Sequence, residues 1–158
     1  MLPDAGWHLA GSDATQAEFV AKSNDGYASV RLERGDAGWI VTGWGGCEPA
    51  LVMAGGARAA TWQLADEAAV NGASTTITVL VSERSCVSGK APDGRIVGPR
   101  VVIEPGVVRI AFGVTPLPGD QECQGSPPAR VVVDLGEPIG DRVLSDFGIW
   151  PPVNVWAE

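Results

Sequence analysis

The chain of 158 residues reads as an all-β protein, a β-sandwich of about ten short strands, and three observations carry that reading. Residues 75–81 alternate, with Ile77, Val79 and Val81 on one face and Thr76, Thr78 and Leu80 on the other, the period of a strand packed on one side. The 21 glycines and 12 prolines are scattered between apolar runs and not gathered in one tract, which is the punctuation of tight turns. The order of segments also repeats. Lys22-Ser23-Asn24-Asp25-Gly26 is echoed by Lys90-Ala91-Pro92-Asp93-Gly94, and each leads into a run ending in Glu33 or Glu104, a turn, a second run, a Gly-rich loop with a cysteine (Cys47 or Cys123) and an apolar run. Such an echo suggests one supersecondary unit used twice, over residues 16–70 and 74–150, with the two halves related by a pseudo-twofold axis inside one domain spanning 1–158. Turn-rich β proteins also produce echoes by chance.

In chain order, residues 17–22 form the first expected strand. Residues 27–33 and 38–42 read as a hairpin about Arg34-Gly35-Asp36. Short apolar runs at 50–53 and 60–65 are read as strands. Residues 58–70 are rich in Ala, Leu, Gln and Glu and stop at Asn71-Gly72, a fair helix on propensity alone. Their place in the repeat argues instead for a strand through Ala65 and at most one helical turn over 66–70. After the alternating strand at 75–81 comes a short one at 95–97. Residues 101–104 and 107–112 form a second hairpin, Pro105 fixing φ at the first turn position and Gly106 permitting positive φ at the next. Val131, Val133 and Leu135 alternate with Val132 and Asp134, and residues 142–145 supply a last strand. Ile149-Trp150-Pro151-Pro152 cannot continue a helix and is expected to run extended as a tail sealing one edge.

A chain of this length removes roughly 70% of its unfolded surface from water, so it needs no metal to fold. The formal charge is −8 with no cluster of Lys or Arg, so a phosphate backbone or an anionic membrane is repelled at long range. Nucleic acid is not expected as a partner. No apolar run approaches the roughly 20 residues that cross a bilayer, and residues 1–10 lack the basic-then-apolar order of a signal peptide. Residues 2–6 read as the cut edge of a longer precursor.

Cys47, Cys86 and Cys123 lie far apart, each beside turn residues, and His8 is the only histidine. No C-x-x-C exists, so zinc and thioredoxin-like chemistry are poorly supported. Three cysteines make one disulfide and one remainder. Cys47 and Cys123 occupy equivalent loops of the repeat, whereas Cys86 has no cysteine counterpart near residues 18–20. The second half alone then holds a complete pair, Cys86 with Cys123. Pairs involving Cys47 stay open, because spacing does not determine connectivity. A disulfide implies an oxidising compartment.

No motif assigns a catalytic residue, a metal or a cofactor. There is no G-x-S-x-G, and a Ser-His-Asp site would depend on His8. The acids beside glycines (Asp25, Asp36, Asp93, Asp120, Asp141) are the expected residues of tight turns. No D-x-D-x-D spacing supplies calcium ligands, and Gly89-Lys90 lacks the rest of a phosphate loop. Six tryptophans against one tyrosine are the remaining handle. Trp39 and Trp62 are expected as core plugs of equivalent strands. Trp39 and Trp44 lie five apart, so an unbroken strand points them to opposite faces. Trp44, beside Gly45-Gly46-Cys47, is the candidate for an exposed binding residue, since a large flat apolar surface suits sugar rings or protein partners.

The segments Cys86-Val87-Ser88-Gly89, Pro92-Asp93-Gly94-Arg95, Gln124-Gly125-Ser126-Pro127-Pro128 and Leu135-Gly136-Glu137-Pro138-Ile139-Gly140-Asp141-Arg142 resemble uncharacterised exported proteins and lipoproteins of high-GC Gram-positive bacteria. Trp44-Gly45-Gly46-Cys47 is similar to a Trp-Gly-x-Cys element in such proteins. The resemblance covers roughly residues 38–152 and implies an extracytoplasmic location, secreted or lipid-anchored in the full-length precursor. It supplies no catalytic residue, substrate or cofactor. The expectation is therefore a non-catalytic binding or interaction module for an envelope protein or a glycan, with Trp44, Gly45, Gly46 and Gln124 at its site. The rivals are an extracytoplasmic enzyme using carboxylates or Cys47 in a cleft between the halves, and a structural subunit of an envelope assembly, which would show an apolar patch of several hundred Å².

Overall fold

The structure, a computed structural model, describes residues 6–24, 26–47 and 49–157. The turn residue Asp25 and residues 2–5 of the expected precursor edge lie outside the described residues. The protein is all-β, with eleven strands among the described residues, in two sheets. The chain divides into two compact units, residues 1–49 and 50–158, and each sheet belongs to one of them.

The first unit is an antiparallel meander of β1 (His8–Ser12), β2 (Gln16–Ser23), β3 (Gly26–Gly35) and β4 (Gly38–Cys47), in that spatial order. Asp13 makes the first turn. Its Oδ1 accepts from the backbone N–H groups of Thr15 and Gln16 and from the Thr15 hydroxyl, which holds the carboxyl below its ordinary range. Strand β1 escaped the sequence reading because all five of its residues are exposed, so no alternation marks it.

The second unit contains β5 (Arg58–Leu64), β6 (Thr76–Ser82), β7 (Ile96–Glu104), β8 (Val107–Val114), β9 (Ala129–Asp134), β10 (Val143–Asp146) and β11 (Val153–Trp156). Strand β8 is its hub. One edge pairs with β7 across the Pro105-Gly106 turn, where Gly106 has φ +80°. The other edge is shared, parallel with β10 over 107–110 and antiparallel with β5 over 112–114. Strand β5 then passes on to pair through 61–64 with β6, and β6 pairs with β9. The sheet thus turns back on itself at β5, as strands do at the corner of a sandwich. Trp62, Ile77, Val79, Val81 and Val133 share one core with Val108, Ile110, Phe112, Leu144 and Trp156. The alternation at 75–81 is the core face of β6: Ile77, Val79 and Val81 are at most 3% exposed. The expected tail continues into β11, which pairs with β10 and covers that side of the sheet.

Residues 58–70 resolve as the repeat argument required, a strand to Leu64 followed by a single 3-10 turn at Glu67–Ala69. Asp66 caps the turn by accepting from Ala68 N–H at 3.1 Å. The repeat itself does not extend to strand order. The hairpins β3–β4 and β7–β8 occupy the echoed segments, yet among the described residues β4 pairs only with β3, whereas β8 also takes β5 and β10. Strand β5, which falls in the expected first half, belongs to the second unit's sheet. Residues 50–53 are not a strand, apart from a single bridge between Ala50 and Ile149. They lay Met53 against the backbone of β8, where a Cβ on Gly113 would stand 2.9 Å from Met53 Cγ. Apolar character there serves side-chain burial and not sheet pairing, two origins that a short apolar run does not distinguish.

Cys86 and Cys123 form the expected disulfide. It ties the segment after β6 to the irregular stretch 115–128, and Ser88 reinforces it: Ser88 N–H donates to Glu122 O at 2.8 Å, and Glu122 N–H donates to Ser88 Oγ at 2.9 Å. Arg95 clamps the base of the enclosed hairpin, reaching Glu83 Oε2 at 2.6 Å and Thr115 O at 2.8 Å. The Glu83 side chain is only 4% exposed, so removing Arg95 would strand a buried charge.

Candidate functional site

Strand β4 carries the residues that sequence reasoning put forward. Its register against β3 sets Arg31 opposite Gly43 and Leu32 opposite Val41, so Thr42 is an extra residue, a β-bulge. The bulge shifts the parity of everything beyond it. Trp39 lies opposite Arg34 and Trp44 opposite Val30, and Arg34 and Val30 are four apart on one strand. The two tryptophans therefore share a face of the sheet, together with Val41. An unbroken strand would have separated them. Trp39 is 46% exposed, Val41 55% and Trp44 71%. The expectation that Trp39 is a core plug is corrected on this point, while Trp62 is 5% exposed and lies in the core.

The stretch Gly43–Gly46, expected as a loop, is strand, and Cys47 ends it opposite Tyr27. The Cys47 side chain lies outside the described residues. Glycine weakens a strand interior, but four consecutive register partners on β3 hold this one in place. An open cleft of about 310 Å³ is lined by Glu18, Ser29, Arg31 and Glu33 together with residues 42–46 of β4. Arg31 and Glu18 stand 3.9 Å apart and both are solvated, so their pairing contributes little. Trp44, Gly45 and Gly46 line this one cleft. Gln124, the fourth predicted residue, is in the second unit, exposed within 115–128, where its Nε2 donates to Glu122 Oε2 at 2.9 Å. The predicted set is thus divided between the two units.

Sequence reading missed the companions of Trp44. Strand β4 contains Trp39, Ile40, Val41 and Trp44, all exposed, and its outer edge has no partner strand among the described residues. Not one of its ten residues is charged or proline. The available signal was Gly43 between the two tryptophans, since a lone glycine in an apolar run marks bulges.

The second unit has two further features. A groove of about 540 Å³ runs between residues 50–59 and Arg84–Ser85, with Arg58 Nη1 3.4 Å from Ser85 Oγ. Beside it, Asp146 is a carboxylate 4% exposed. Burial raises its pKa, opposed by backbone N–H donation from Gly148 and Trp62 and by the charge of Arg84. Gly148 is packed closely there: a Cβ would stand 3.1 Å from Ala60 O. A carboxyl whose folded pKa lies above its unfolded value binds more protons when folded. Its contribution to stability is full below the unfolded pKa of about 3.9 and is lost as pH rises through the folded value. Asp146→Asn removes that slope: urea midpoints of the wild type should fall relative to the variant as pH is raised from about 4, and parallel curves would contradict the assignment.

Among the described residues no group of three or more His, Cys, Asp or Glu is placed to hold a metal ion, and no helix is long and apolar enough to cross a membrane. No family model, curated protein or solved structure matches the chain.

Proposed function

We propose that the protein is a non-catalytic interaction module working outside the cytoplasm, and that it engages an envelope protein or a glycan through β4 of the first unit. The observation that carries this reading is the row formed by Trp39, Val41 and Trp44, exposed on one face of an uncharged edge strand whose outer edge has no partner strand among the described residues. Tryptophan is the residue most enriched at binding hot spots, and an open edge offers backbone donors and acceptors to an added strand. The Cys86–Cys123 disulfide supports an oxidising compartment, in line with the resemblance to exported proteins. The same exposed row favours a second reading, a subunit of an envelope assembly.

Trp44→Ala tests the site. At 71% exposure its removal should leave the thermal midpoint within about 2 °C of wild type, as for other surface substitutions. Binding to isolated envelope fractions or to a glycan array should fall at least about 30-fold, the effect of losing a hot-spot side chain. Equal binding by the variant would remove Trp44 from the site, and a fall of many degrees would place it in a core.

A further inference from the structure

We infer that β4 is the surface through which two copies of this chain pair, edge to edge and antiparallel, with Trp39 of each opposite Trp44 of the other. The inference rests on the reading of β4 as a binding edge and names a second copy of this chain as the protein partner that fills it.

Natural edges are blunted by charge, proline, shortness or bulges. Strand β4 is ten residues long and has neither charge nor proline, so its only irregularity is the bulge at Thr42. That bulge is also what makes the strand complementary to itself. Residues facing each other across a continuous sheet must share a face, and Trp39, Val41 and Trp44 lie on one face while Gly38, Ile40, Gly43 and Gly45 lie on the other. Setting Trp39 against Trp44 of the second copy sets Ile40 against Gly43 and Gly38 against Gly45. Every one of these pairs matches in face, and each occurs twice about a twofold axis passing between Val41 and Thr42. This is the isologous geometry of a closed dimer. Ile40 meets a glycine, which leaves it room, and the two Trp pairs are cross-strand aromatic contacts of the kind that stabilise sheets.

Charge selects the same occupant. The chain carries −8 overall, which opposes association of two copies in general, but a β4–β4 contact brings no charged side chain of the strand into opposition. A basic partner would find no carboxylate on this strand to pair with. With a full tryptophan surface of about 250 Å², the exposed parts of Trp39, Ile40, Val41 and Trp44 offer at most about 500 Å² per copy, of which edge pairing covers the lateral part, so the contact belongs to the small, weakly associating class.

Sedimentation equilibrium of the intact chain from about 1 to 500 μM, the range in which a minimal interface associates, should show the mass rising from one chain to two. Val41→Lys, which sets a lysine beside the axis in each copy, should hold the protein monomeric throughout. A second measurement does not rely on that variant folding. In a Cys47→Ser background, Val41→Cys chains mixed with Thr42→Cys chains and mildly oxidised should give more mixed crosslinked dimer than either gives alone, since those two positions are directly opposite. A monomer at the highest concentration, a dimer indifferent to Val41→Lys, or no excess of mixed crosslink would each overturn the pairing. Should the protein stay monomeric while Trp44→Ala still weakens binding to an envelope fraction or glycan, self-pairing fails and the binding edge stands. Loss of both effects removes the edge as well.

Discussion

Replacing Trp62 by alanine should destabilise the second unit by about 5 kcal/mol, the upper end of the range for truncating a buried aromatic. Trp62 sits where β5 leaves β8 and joins β6, is 5% exposed, and packs into the core formed by both arms of the sheet. Its Nε1 donates to Ile110 O at 3.0 Å, so one side chain fills volume and ties the β5–β6 arm to β8. The two contributions separate by size. Ile110 O also accepts from Phe147 N–H at 3.2 Å, so losing the indole donor leaves that carbonyl satisfied. Trp62→Phe should therefore cost only about 2 kcal/mol, from one hydrogen bond and a small residual void. Urea unfolding with an unchanged m-value measures both. A Trp62→Ala cost below about 2 kcal/mol would mean that the core collapses around the gap, which the close packing of a sheet corner opposes.

Removing the disulfide is the other large perturbation. The cysteines are 37 residues apart, and closing a loop of that length stabilises the folded state by about 4 kcal/mol in the chain-entropy model. Cys86→Ser with Cys123→Ser should lower the thermal midpoint by roughly 15 °C for a unit of this size. The ladder between β7 and β8 should persist, since Arg95 and the Pro105-Gly106 turn hold that hairpin independently. Non-reducing peptide mapping should recover the Cys86–Cys123 link from the native protein. An unchanged midpoint in the serine variant would show that the unfolded chain is already as restricted as the bridged one.

The sequence made the second unit legible because one face of its strands is buried. Ile77, Val79 and Val81 declared β6, Val133 and Leu135 declared β9, and Pro105-Gly106 declared the turn between β7 and β8. Burial writes itself into alternation. The first unit is less legible for the same reason: β1 is exposed throughout and β4 nearly so. There the decisive feature is a change of parity at Thr42, produced by one unpaired residue, and no hydrophobic pattern reports it. Counting five positions from Trp39 to Trp44 gave opposite faces, and the register gave one face. The exposure of Trp44 is an expectation of the sequence, but the row that Trp44 shares with Trp39 and Val41 is visible only through pairing. The repeat failed differently. Similar turns follow from similar local chemistry, whereas strand order depends on contacts distant in sequence, which local chemistry does not encode.

The shared edge of β8 also orders events for a nascent chain. Its partner β7 is adjacent through a tight turn and β5 has already been synthesised, so those ladders can form as soon as β8 emerges. The parallel ladder to β10 must wait for Val143–Asp146. Until then the 107–110 edge is bare on a strand whose neighbouring residues 110–114 are all buried in the finished protein, which is the kind of surface that recruits other unfinished chains. A polypeptide ending before Val143 would expose that edge permanently and should precipitate during expression, whereas one ending at Pro152 would keep the β8–β10 ladder and lose β11.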